Sequence, residues 1–289
     1  MKFGTSILGV SLRSLQPVAQ AFEANGFESI WTSEHLVFPT ELPDLYPYTA
    51  TGEPPFTSAT PIHDPWVVLA YAAAATERIR LGTSVYILPL RHPLETARSV
   101  VSLDRVSGGR VTLGVGVGWL PEEFDYVGLD FAERGRRADA AITAIRRLWT
   151  EDTVHVDDGF HRFGPVTFEP KPLQKPSIPI EVGGTSGPAL RRAGRVGDGW
   201  IEYGSASVEE FAARLAVVHK ARAESGRSGP FEVTATPAFA CDLAACQALA
   251  AAGATRVIAR PSPPGGGRLS AEGAIDWAKR YADEVISHM

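Results

Sequence analysis

The sequence predicts an α/β fold, a parallel (β/α)8 barrel of the TIM type with insertions after its second and fourth strands. Three observations predict it. Short apolar runs alternate with amphipathic helical stretches about eight times along the chain. The 289 residues match the size at which such a barrel runs as one unit, so a single barrel domain over residues 1–289 is expected. The turn after the first strand lacks the G-x-G-x-x-G pattern expected of a doubly wound dinucleotide-binding sheet.

Each element has a local reason. Phe3–Leu8 reads as the first strand. Ser14 can cap a helix to Asn25, with Leu15, Val18, Ala19 and Phe22 on one face and Gly26 as a left-handed stop. Glu28–Thr32 is the second strand and ends at Ser33-Glu34-His35. From about residue 36 to 63 the periodicity disappears, and six prolines stand around Tyr46, Tyr48 and Phe56. A loop of that length inside a domain is usually functional, and it reads as an insertion over the mouth of a site. Asp64-Pro65 opens the next helix, Trp66–Ala75, and Ile79–Leu88 is the third strand. His92-Pro93 opens a helix through Arg105, stopped by Gly108-Gly109, and Arg110–Val117 is the fourth strand. Pro121-Glu122-Glu123 starts a helical turn, and Arg134–Trp149 is a longer helix with its alanines, isoleucines and Leu148 at helical spacing.

The second insertion, about residues 151–177, holds a hairpin around Asp157-Asp158-Gly159. Ile178–Val182 is the fifth strand and runs into Gly183-Gly184-Thr185-Ser186. Pro188 sits in the first turn of the following helix, which carries Leu190 and Ala193 inward and Arg191, Arg192 and Arg195 toward water. Asp198–Glu202 is the sixth strand, and Ser207 with Glu210 makes a capping box for the helix through Ser225. Phe231–Ala240, Leu243–Ala252 and Thr255–Arg260 give a seventh strand, a helix and an eighth strand. Pro261–Arg268 is a proline and glycine loop, and Ser270 caps a last helix with Trp277, Tyr281 and Val285 inward.

Composition narrows the function. A net charge of −5 argues against a nucleic-acid partner. No apolar run approaches the ~18 residues of a membrane span, and the N-terminus reads as a strand, not a signal peptide. Cys241 and Cys246 form neither a C-x-x-C nor a zinc pattern, and the seven histidines include no H-E-x-x-H, so buried thiols, a reducing cytoplasm and no metal site are expected.

In such a barrel chemistry sits at the carboxyl ends of the strands. There the second strand offers Glu34 and His35, the one adjacent acid and imidazole. Imidazole can donate, accept or relay a proton near neutral pH. His35 could equally anchor the long loop behind it, and Glu34 could equally pair with an arginine. Glycines of the fourth strand, Gly116 among them, leave room either for a flat ring or for tight packing. The turn Gly183, Gly184, Thr185, Ser186 joins glycines and hydroxyls to a helix start, which suits a phosphate and also suits an ordinary loop. Glu122 and Glu123 read as a solvated first turn, and His92 as a cap before Pro93.

Four stretches together resemble the luciferase-like monooxygenase superfamily, nearest its coenzyme F420-dependent oxidoreductase branch: ESIWTSEHL, IRLGTSVYILPLRHPLETARSVVSLDRVSGGRVTLGVGVGWLPEEF, VGLDFAERGRRADAAITAIRRLW and IPIEVGGTSGPALRRAGRVGDGW. The resemblance runs from about Phe3 to Trp200. It implies a bacterial luciferase-like barrel holding a deazaflavin, coenzyme F420, or alternatively FMN, with the ring deep in the barrel. It maps the catalytic acid–histidine pair to Glu34 and His35, and a non-proline cis peptide behind the ring to Ser84–Val85. It maps the phosphate-binding segment to Gly183–Ser186. The activity implied is hydride transfer between F420 and a small organic substrate, and the apolar walls that Tyr46, Tyr48, Phe56 and Trp119 would supply point to an uncharged one. The alternatives are an FMNH2-dependent two-component monooxygenase, served by a separate cofactor reductase and molecular oxygen, and a non-catalytic flavin or deazaflavin carrier. A homodimer is implied, through helices flanking the second and third strands, where Trp66, Leu69 and Tyr71 could take part or could equally be core.

Overall fold

Eight parallel strand positions close on themselves in the expected order. The structure is a computed structural model and describes residues 1–49, 51–261 and 270–289. In chain order it contains β1 (Lys2–Ser6), α1 (Leu15–Ala24), β2 (Ser29–Thr32), α2 (Pro65–Ala73), β3 (Arg80–Thr83), β4 (Tyr86–Ile87), α3 (Pro93–Val106) and β5 (Val111–Gly116). There follow α4 (Pro121–Tyr126), α5 (Arg134–Thr150), the hairpin β6 (Val154–Asp157) and β7 (Arg162–Val166), β8 (Ile180–Gly183) and α6 (Gly187–Val196). The chain ends with β9 (Gly199–Ile201), α7 (Val208–Glu224), β10 (Glu232–Ala235), α8 (Leu243–Ala251), β11 (Arg256–Ala259) and α9 (Ala271–Glu284). The sheet runs β3-β2-β1-β11-β10-β9-β8-β5-β4, and β3 also pairs with β5, which closes the barrel. β3 and β4 are the two halves of the expected third strand, interrupted at Ser84–Val85, where the peptide is cis.

The caps explain where several helices begin. Asp64 accepts from the amides of Trp66 and Val67, His92 from Leu94, and Ser270 from Gly273. Ser14 differs from expectation: its side chain caps nothing, and a short 3-10 turn over Leu12–Ser14 leads into α1 instead. Ser207 accepts from Glu210 as a cap should, but the Glu210 carboxylate returns to Ala206, one residue before the box position. Arg192 also departs from expectation. It is buried, and its Nε donates to Asp139 of α5 at 2.6 Å. The loop expected at Pro261–Arg268 lies, beyond Pro261, outside the described residues.

Inside the barrel Trp31 is fully buried and packs with Ile201 and Ile258. A Cβ on Gly82 would collide with its ring, and one on Gly4 would come within 2.7 Å of its indole nitrogen, so two strands keep glycine beside it. The amino-terminal end is plugged by charge. Arg256 reaches Glu181 at 2.9 Å, Glu28 at 3.1 Å and Glu232 at 3.3 Å, and it is itself almost wholly buried. Burial alone would raise the Glu232 carboxyl, but Arg256, Lys2 and Thr255 outweigh burial and hold it below the ordinary value. A depressed carboxyl contributes stability above its unfolded pKa and loses it as the pH falls through the folded one. Replacing Arg256 by Met strands these carboxylates. The variant is expected to lose about 3–5 kcal/mol at neutral pH. Thermal or urea unfolding across pH should show that deficit narrowing toward about pH 4, as the carboxylates protonate.

Candidate functional site

The carboxyl ends of β2, β4, β5, β8 and β9 gather the candidate residues on one rim. Just past β2, Ser33 donates to the carbonyl of Ser84 at 2.6 Å and ties the two strand ends together. Glu34 then turns inward, and both its oxygens are committed. One accepts from the Ile87 amide at 2.7 Å and from Arg91 at 2.6 Å, the other from Arg91 at 2.6 Å. Burial pushes the Glu34 carboxyl up, against the pull of Arg91. Burial also weighs against the Arg91 charge, yet Glu34 outweighs it and raises the guanidinium. These tendencies conflict, and geometry decides for the ionised pair: a bidentate fork at 2.6 Å needs both carboxylate oxygens as acceptors. Of the two readings open for Glu34, the arginine pair is therefore the one found.

His35 is oriented by residues from the far side of the fourth strand. Its Nδ1 lies 2.8 Å from Glu123 Oε2, and Trp119 Nε1 donates to its Nε2 at 3.3 Å. An indole N–H needs a bare acceptor, so this network assigns the proton to Nδ1 and makes Nε2 the basic nitrogen, its lone pair accepting from Trp119. Glu123 is fully buried, and its other oxygen accepts from the amides of Leu36 at 2.6 Å and Val37 at 3.3 Å. The solvated first turn expected for Glu123 is thus corrected. This carboxylate faces inward and joins α4, the imidazole and the root of the long loop. A signal for it existed: it stands one turn past the end of the fourth strand, on the same rim as His35.

The loop does lie over the mouth. The ring centroids of Phe38 and Trp119 are 4.7 and 5.7 Å from that of His35. Tyr46 packs edge-on to Trp119 at 5.3 Å, Phe56 at 5.5 Å and Tyr48 at 5.4 Å. Tyr48 continues the row to Tyr203 at 4.6 Å, and its hydroxyl lies 4.0 Å from the place a Cβ on Gly184 would occupy. A contiguous line of rings therefore links His35 to the Gly183–Ser186 turn.

At that turn Gly184 adopts φ +118°, a left-handed conformation suited to glycine. Ser186 caps α6 through the Ala189 amide, while the amides of Thr185 and Ser186 have no hydrogen-bond partner among the described residues. Gly116 and Gly183 both face Val85. A Cβ at either would strike a methyl of Val85, so the space beside these strands is filled by that side chain. Trp66 and Leu69 of α2 belong to the core, and Tyr71 beside them is exposed.

The family described as luciferase-like monooxygenase matches residues 1–284. An uncharacterised protein of Mycobacterium tuberculosis is 37% identical over 217 residues, 75% of this chain and 74% of that one. An FMNH2-dependent dimethylsulfone monooxygenase of Pseudomonas putida is 30% identical over 228 residues, 74% of this chain and 61% of that one. An F420-dependent secondary alcohol dehydrogenase shares the fold, with a TM-score of 0.79 at 15% identity, covering 100% of this chain and 99% of that one. No helix among the described residues is long and apolar enough to cross a membrane. The match over nearly the whole sequence, the closed parallel barrel and the rim that gathers His35 with the glycine turn agree: the chain belongs to the luciferase-like monooxygenase family of oxidoreductases.

Proposed function

We propose that this chain is a coenzyme F420-dependent oxidoreductase that moves a hydride between the deazaflavin and a small, uncharged organic substrate, with His35 handling the substrate's proton. The observation that carries the reading is a single imidazole held in one tautomer by a buried carboxylate, with its basic Nε2 facing the mouth where it accepts from the Trp119 indole. Hydride transfer at a carbon bearing oxygen changes the charge on that oxygen, and a proton must move with it. A histidine is the side chain whose ordinary pKa suits both directions near neutrality. The cofactor, when bound, supplies the hydride chemistry. Glu123 orients His35, and Glu34 with Arg91 fixes the β4 segment behind it. Trp119, Phe38, Phe56 and Tyr46 exclude water and favour an uncharged partner.

The residues fit such a cofactor unequally. The tail end fits as it stands, since the Thr185 and Ser186 amides beside Gly184 make a ready anion seat. At the ring end Tyr46 and Tyr48 span the line from His35, so ring binding requires the loop to shift. The reading takes residues 1–289 as one barrel domain. It places a homodimer contact on α2, where Val67 and Tyr71 are exposed. A second reading, an FMNH2-dependent monooxygenase served by a separate reductase, is favoured by the Pseudomonas putida relative.

Anaerobic titrations with F420 and with FMN, followed by absorbance, separate the two. Saturable F420 binding is expected, and tight FMN binding with none for F420 would reject the first reading. Given F420 turnover with a panel of short secondary alcohols and ketones, His35→Ala should lower kcat by about 10²–10⁴-fold and leave cofactor affinity within a few-fold. Glu123→Gln keeps the shape but not the charge. It should cost about tenfold in kcat or more and shift the pH–rate profile, whereas a purely structural Glu123 would lower stability and leave that profile in place.

A further inference from the structure

The nitrogen that proton transfer needs is already occupied. A neutral imidazole has one basic lone pair, on its unprotonated nitrogen. In His35 that nitrogen is Nε2, and Trp119 Nε1 donates to it at 3.3 Å. Nδ1 is no substitute, since it faces the Glu123 carboxylate at 2.8 Å. Nε2 cannot accept from the indole and exchange a proton with a substrate at the same time. One of the two rings has to give way. The imidazole is tied to a fully buried carboxylate whose other oxygen holds the chain at Leu36 and Val37. The indole is held by one long, neutral hydrogen bond and by ring packing, so it is the partner that yields.

Its surroundings show how. The backbone on either side of Trp119 is fixed. Gly118 has φ +81°, and a Cβ there would come within 2.9 Å of Ile87 and 3.0 Å of Phe124, while Leu120 is fully buried. The Trp119 side chain itself is half-buried and lies edge-on to His35, at an interplanar angle of 81°. Tyr46 packs edge-on against it at 5.3 Å and Phe56 lies at 6.4 Å. Both rings belong to the long loop, and Tyr46 is one of the two that must lift before a planar cofactor ring enters. The displacement that opens the mouth therefore also removes a support of the indole, and the side chain can turn without its backbone moving.

We propose that Trp119 is a positioning residue that caps the basic nitrogen of His35 at rest and is released by the loop movement that admits the cofactor ring. The indole N–H stands where a substrate hydroxyl would donate, so the capped site keeps other donors off Nε2 until ring and substrate are in place. The inference rests on the reading above, in which His35 handles the substrate's proton, and adds a gate to it.

Two measurements test it, one of them without turnover. Histidine is labelled with 15N, at about pH 8, where an ordinary imidazole is neutral. The His35 Nε2 resonance is the one lost in His35→Ala. In Trp119→Phe, which keeps a ring and removes the N–H, it should move toward the position of a free lone pair. It should move the same way in wild type once F420 or FMN is bound. In turnover with short secondary alcohols, Trp119→Phe should raise kcat/KM about two- to fivefold, because a modest neutral hydrogen bond no longer has to be broken. An Nε2 resonance that ignores the loss of the indole N–H, or that keeps its resting position in ring-bound wild type, overturns the proposal. An unchanged or lowered kcat/KM overturns it too, since the N–H would then be indifferent or a participant. Where Trp119→Phe does not fold, the comparison of free and ring-bound wild type decides. If neither ring binds, or His35→Ala turns over at the wild-type rate, the reading of His35 fails and takes the gate with it. A bound ring and a slow His35→Ala, with Nε2 unmoved, would reject the gate alone.

Discussion

The rim depends on one buried carboxylate. Glu123 accepts from His35 with one oxygen and from the first two amides of the loop with the other. A charged acceptor of this kind contributes about 1.5–3 kcal/mol per bond, and leaving its donors unpaired costs a similar amount. The same group therefore sets the tautomer of the imidazole and the exit direction of the chain that covers it. Neither can change without disturbing the other. This is why the loop, otherwise short of regular structure, delivers Phe38 to a fixed distance from His35.

A second constraint sits on the opposite side of the same strands. Val85 puts its two methyls in the places where side chains on Gly116 and Gly183 would lie. Three strands interlock through one side chain and two missing ones. Ser33 adds a hydrogen bond to the Ser84 carbonyl, and Glu34 adds one to Ile87, so the interrupted strand is held on both sides of the interruption. The strand part of the rim is thus fixed by packing and hydrogen bonds, whereas the loop across it is held mainly by ring contacts.

That division explains what could be read from the sequence. Strands, helices and caps are local, and their signals lie within a few residues: Asp64 before Pro65, His92 before Pro93, Ser270 before the last helix. The barrel followed from their alternation, and the rim followed from the barrel, so the neighbourhood of His35 and of the glycine turn was legible. Pairings across the fold were not. Arg192 was expected in water because its partner Asp139 is 53 positions away, and Glu123 because His35 is 88 positions away. Gly116 announces room for something, but only coordinates tell that Val85 takes it. For Glu34 the sequence leaves catalysis and an arginine pair both open, since Arg91 lies across a strand and a turn that sequence alone does not fold.

The loop's own energetics bear on whether it can admit a ring. Its roots are fixed, by Glu123 at Leu36 and Val37 and by the Asp64 cap at α2. Between them it carries few bonds of its own, such as Tyr46 to the Gly52 carbonyl and Ser58 to the Thr40 carbonyl. What keeps Tyr46 and Tyr48 down is chiefly ring packing, and an aromatic pair contributes about 0.5–1.5 kcal/mol beyond its buried area. Lifting two such contacts costs about 1–3 kcal/mol beyond the area term, comparable to what one hydrogen bond to a charged group returns, and any ring that enters covers that area again. A loop hinged at strong roots and held by weak rings can exchange one set of contacts for the other at little net cost. Stronger packing would shut the mouth, and weaker roots would let the loop drift from His35.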